Sequence, residues 1–90
     1  MARLCKDAAL RRRAFQDGFA RRLRMAMAVD DVNAYELSMA AFGNRTQVYT
    51  YMHGDSMPSA MAAQRLAYCL GVSADWLLGL KQGDHRAVGE

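Results

Sequence analysis

NAYELSMAAFGNRTQVYTYMHG, residues 33–54, is the stretch on which the fold turns. Asn33 is a good helix cap, and Glu36 stands three residues later, where a capping-box carboxylate belongs. Leu37, Ser38 and Ala41 share one face of the helix this starts, which is expected to end near Phe42 because Gly43 supplies the backbone freedom of a tight turn. Asn44 then caps another helix over residues 45–53, closed by Gly54. In it Val48, Tyr51 and Met52 keep a helical period, while Arg45, Thr46, Tyr49 and Thr50 fall on another side. The pattern predicts two short helices joined by a turn, the second docked by its apolar face and free on its polar one.

On the N-terminal side, Phe15, Phe19, Leu23 and Met27 recur every fourth position and predict an apolar helix face that Asp30 and Asp31 interrupt. Residues 1–14 read as a basic arm, either frayed or weakly helical. On the C-terminal side a short turn passes through Asp55 and Ser56, and Pro58 suits the first turn of a helix whose stripe is Ala63, Leu66, Ala67 and Leu70. Gly71 ends that helix. Ser73 can cap a brief fifth one, with Asp75 in its first turn and Trp76, Leu77 and Leu78 available to close the core. Residues 80–90 read as a loose tail. The expected fold is all-α: a compact five-helix domain over residues 15–79, preceded by a basic N-terminal arm.

The bulk properties agree with one domain. A chain of 90 residues that is 52% hydrophobic is expected to bury about 60–65% of the surface its unfolded form exposes, with no room for a second domain. Its single Pro and scattered Gly are those of a globular chain. The net charge of +3 is unevenly spread. Residues 1–24 carry eight basic side chains (Arg3, Lys6, Arg11, Arg12, Arg13, Arg21, Arg22, Arg24) against Asp7 and Asp17, a balance of +6, and the remainder sums to −3. A polyanion is expected to be drawn to the N-terminal third, and nucleic acid is the natural candidate.

The apolar stretch flanked by basic residues near the N-terminus, Ala8 to Leu10, is too short for a secretion signal, and no run of residues suits a membrane span. A cytoplasmic location follows as the expectation, with Cys5 and Cys69 reduced and no disulfide. Those cysteines with His53 and His85 lack the paired short spacings of a metal site. With no carboxylate pair, nucleophile motif or glycine-rich phosphate loop in view, the reading is of a protein that is not an enzyme and takes no cofactor. The seven Met residues read as packing filler, Met57 and Met61 being the ones suited to an interface.

An α-helix fits the major groove of B-DNA, where Arg can bridge guanine acceptors and Thr can offer a hydroxyl to bases or a methyl to thymine. Arg45 is the best base reader on this helix. Here the chain resembles the lambda-repressor-like, or xenobiotic-response-element-type, helix-turn-helix family across about residues 15–79. Glu36-Leu37-Ser38 and His53-Gly54 resemble the family's Glu-Leu-Ala and its helix-ending Asn-Gly at the usual separation. Leu66-Ala67, Leu70-Gly71-Val72-Ser73 and Asp75-Trp76-Leu77-Leu78-Gly79 resemble its C-terminal signature.

The resemblance implies roles by position. Arg45, Thr46 and Thr50 would face bases, with Tyr49 at the groove edge and Val48 as the core anchor. Asn33, Asn44 and His53 would touch the sugar-phosphate backbone, which sets register without specifying sequence. The arm, with Arg3, Lys6, Arg11, Arg12 and Arg13, would wrap the duplex or enter its minor groove. Three positions depart from the pattern: Ala34 stands for a phosphate-binding Gln, Phe42 for the turn Gly, and Ser38 for a small Ala, with Gly43 one residue late. A reshaped turn would rotate the helix and make Gln47 a base reader in place of Thr46. The implied function is a prokaryotic or phage transcription regulator, usually a repressor, that binds a pseudo-palindrome in double-stranded DNA as a homodimer, with no small-molecule effector. The rival is a protein-interaction module, such as an antitoxin or accessory factor.

Overall fold

Five helices follow one another in the computed structural model, which describes residues 8–80: α1 (Ala8–Asp30), α2 (Ala34–Phe42), α3 (Gln47–Met52), α4 (Ala60–Leu70) and α5 (Ala74–Leu77). No strand occurs among the described residues, so the fold is all-α as expected. Arg3, Lys6, Cys5 and His85, and the tail from residue 81 on, lie outside them.

The expected α1 stripe is where the core forms. Phe19, Leu23 and Met27 are buried and Phe15 is half-buried, and α1 packs on α3, α4 and α5. The helix starts at Ala8, seven residues before the first member of that stripe, so Arg11, Arg12 and Arg13 are helical. Residues 8–14 are all exposed and bury nothing. They are helical because Ala, Leu and Arg are strong helix formers, extending a helix that the core has already nucleated. α1 stops at Asp31, which takes a left-handed conformation (φ 55°) while Val32 donates back to the Met27 carbonyl at 2.9 Å.

Ser59 caps α4, its hydroxyl accepting from the Ala62 N–H at 3.0 Å. Pro58 therefore precedes the cap and is buried there, two residues ahead of the first helical residue and not in the first turn that the sequence suggests. The stripe Ala63, Leu66, Ala67 and Leu70 is buried as expected, and so are Trp76 and Leu77 of α5, with Leu78 half-buried. Ser73 caps α5 through the Trp76 N–H. The core thus gathers one face of each helix around Phe19, Leu23, Val48, Leu66 and Leu77.

Candidate nucleic-acid interface

The α2–α3 unit begins with the capping box read from sequence. The Asn33 side chain accepts from the Glu36 N–H at 2.8 Å, and the Asn33 N–H donates to Glu36 Oε1 at 3.3 Å. Ala34, the first helical residue, is buried and packs in the core. Gly43 ends α2 at φ 72°, where its N–H donates to the Met39 carbonyl at 3.0 Å. A side chain there would strain the backbone.

Asn44 caps the next helix, with Oδ1 accepting from the N–H groups of Thr46 (3.1 Å) and Gln47 (2.9 Å). The regular α-helix starts only at Gln47, because Thr46 sits at φ −130° and the first bond closes from Tyr49 N–H to the Thr46 carbonyl. Arg45 and Thr46 consequently occupy the bend ahead of α3 and not its first turn. A helix over residues 45–53 was expected, and the cap holds while its first turn opens.

Two of the three departures acquire a physical reason. The side chain of Ser38 is fully buried, and its hydroxyl accepts from the Val48 N–H at 3.0 Å. That N–H lies in the first turn of α3, where no helical carbonyl reaches it, so the serine of one helix satisfies a donor of the next. Phe42 packs on Tyr51 with ring centroids 6.1 Å apart, and Tyr51 meets Phe19 edge to face at 6.2 Å. An aromatic chain thereby ties α2 and α3 to α1. At the far end Gly54 (φ 73°) lies so close to α1 that a Cβ would come within 3.3 Å of Asp17 Oδ1.

The outward residues divide into a free group and a tied one. Arg45, Thr46, Tyr49, Thr50 and His53 are all exposed, and the spacing of Thr46, Tyr49, Thr50 and His53 sets them along one side. Tyr49 is 42% exposed, enough to lay its ring on a partner. Thr50 spends its hydroxyl proton on the Gln47 carbonyl (2.8 Å), which leaves its methyl and both oxygen lone pairs for a partner. Gln47 is half-buried with its amide engaged at both ends: Oε1 accepts from Asn44 Nδ2 (2.8 Å) and Nε2 donates to the Tyr51 hydroxyl (3.1 Å). The turn geometry therefore turns Gln47 inward and leaves Thr46 on the outer side.

Arg12 and Arg13 line a polar cleft with Asp17, Gly54 and Asp55, so the helical arginines stand beside the end of α3. Arg11, Arg12, Arg13, Arg21 and Arg45 engage no other described residue through an ion pair or hydrogen bond. Their guanidinium groups are free to bind an anion, although Asp17 and Asp55 share the cleft with Arg12 and Arg13. Two further arginines hold carbonyls at helix ends: Arg24, counted above in the basic N-terminal third, donates to that of Met52, and Arg65 donates to that of Ala41. Partners 28 and 24 residues away leave no local signal in sequence. Among the described residues no helix is long and apolar enough to cross a membrane.

Compared with known proteins, the chain matches no family model, no curated protein and no solved structure.

Proposed function

We propose that the chain is a sequence-specific DNA-binding transcription regulator of the lambda-repressor-like helix-turn-helix type, acting as a homodimer on a pseudo-palindromic site. The observation that carries this reading is the outer edge of α2–α3. Arg45, Thr46, Tyr49 and Thr50 project from an element whose inner face is locked to the core, with unpaired Arg12 and Arg13 beside its far end. In the proposed mode α3 and the bend before it enter the major groove. Arg45 reads guanine, Thr46 and Thr50 contact base edges, and Tyr49 packs at the groove wall. Asn33, Asn44 and His53 flank that edge and meet phosphates, as do Arg11, Arg12 and Arg13 from α1. Occupancy of the site would exclude polymerase, which makes repression the favoured outcome, in a prokaryotic or phage cytoplasm.

Selection from a random DNA pool tests the proposal, followed by mobility shifts on the recovered site. Arg45→Ala is expected to weaken the specific complex by about 1–3 kcal/mol and relax preference at one position per half-site. Replacing Arg12 and Arg13 together by Ala should weaken all sequences alike and flatten the salt dependence, whose slope is about −7 if each subunit neutralises about four phosphates. A pool that returns no enriched sequence defeats the reading. It would favour instead a protein-binding role, for which the groove between α2 and α4 beside the 87% exposed Tyr68 is the place to look.

A further inference from the structure

Gln47 stands at the start of α3 beside Arg45 and Thr46, yet its side chain turns inward and is bound at both ends. Nε2 donates at 3.1 Å to the hydroxyl of Tyr51, one turn along the helix. Oε1 accepts from Asn44 Nδ2 at 2.8 Å, while Oδ1 of the same Asn44 accepts from the Gln47 N–H at 2.9 Å. These last two bonds close a ring across residues 44–47 that encloses Arg45 and Thr46. We infer that Gln47 is a positioning residue: its amide ties the Asn44 cap to Tyr51 and so fixes the direction in which Arg45 and Thr46 leave the bend, without itself touching DNA.

Tyr51 serves as the fixed point because its ring is buried and packs on two others, Phe19 of α1 edge to face at 6.2 Å and Phe42 of α2 at 6.1 Å. Three helices therefore agree on where its hydroxyl stands. Asn44 needs such a tie, because the last torsion of an asparagine side chain is soft and a cap held through Oδ1 alone rocks about it. With Nδ2 engaged as well, the amide plane has one orientation, and the N–H groups of Thr46 (3.1 Å) and Gln47 are drawn to it. A polar network whose members are all bonded specifies a single arrangement. The bend then presents Arg45 from one direction before any partner arrives, which lowers the ordering cost of binding. The brace belongs to the free chain, and only its bearing on base preference rests on the proposed function.

Amide hydrogen exchange of the full chain, followed by NMR without DNA, tests the brace. Tyr51→Phe keeps the packed ring and removes the hydroxyl. Exchange at the N–H groups of residues 46 and 47 should then quicken about three- to tenfold, as expected for one lost hydrogen bond. The reference is the Val48 N–H, whose bond to Ser38 is untouched. Gln47→Met should act in the same way. Gln47→Glu should retain slow exchange, because a carboxylate can accept from both Asn44 Nδ2 and the Tyr51 hydroxyl.

Mobility shifts on the site recovered by selection test the consequence. Tyr51→Phe and Gln47→Met should each lower the preference at the position read by Arg45 about three- to tenfold, and together do no more than either alone. Affinity for random DNA and the salt slope should not move. Circular dichroism checks that the variants keep their helices. Exchange indifferent to both substitutions, or losses that add in the double variant, overturns the proposal. So does a change of preference in Gln47→Met at a base that Arg45→Ala leaves alone, which would make Gln47 a reader. If exchange follows the prediction and the chain selects no DNA sequence, the brace stands and the functional reading falls. If a site is selected but exchange and preference ignore the Tyr51 hydroxyl, the functional reading stands and the brace falls.

Discussion

Two of the glycine turns, after α2 and after α4, start alike, yet one leads into the core and the other into solvent. Gly43 and Gly71 both take left-handed backbone (φ 72° and 67°), and each is soon followed by a polar cap for the next helix. After Gly71 comes Val72, which is buried, and only then the cap Ser73. After Gly43 the cap Asn44 follows at once, and Arg45 and Thr46 are left in solvent. The residue after each glycine differs accordingly: Val72 goes into the core, whereas Asn44, Arg45 and Thr46 stay in solvent. The α4–α5 turn closes the core, and the α2–α3 turn leaves its side chains outward.

Substitutions in each region test that division. Leu77→Ala, which truncates a fully buried side chain behind the α4–α5 turn, should cost about 2–5 kcal/mol in urea unfolding. A loss below about 1 kcal/mol would show that this turn closes no core. Ser38→Ala acts from the inner side of the other unit by orphaning the Val48 N–H, with an expected loss of about 1–3 kcal/mol. Should stability instead be unchanged, the hydroxyl would not be what joins α2 to α3. Asn44→Ala removes the cap at the exposed bend together with the bond to Gln47 Oε1 and should cost about 1 kcal/mol, against somewhat less for Asn44→Gly. Thermal melts separate the two, and the comparison is broken if Asn44→Ala proves more damaging than Leu77→Ala.

Much of this architecture was legible because it depends on local spacing. The capping box at Asn33 and Glu36, the stripe through Phe19, Leu23 and Met27, and the cap at Ser73 all follow from residues within one or two turns of each other. The start of α1 was not, since residues 8–14 carry no buried face and periodicity is silent where nothing packs. Propensity alone would have found it. The outer edge at Tyr49 and Thr50 was readable from the helical period, but the inward hold on Gln47 required Tyr51 and Asn44 to meet it in three dimensions. Ser38 looked like a plain substitution for alanine until its partner, ten residues along, was in place.

The buried hydroxyl of Ser38 makes α2 and α3 a single cassette. Its grip lies wholly on the inner side, so positions 45, 46, 49 and 50 can be exchanged without disturbing the hinge angle that aims them. Single substitutions at those four positions, Pro and Gly excepted, should change stability by no more than about 0.5 kcal/mol in thermal melts. The outward side chains of that edge are thus free to vary while the frame beneath them stands still.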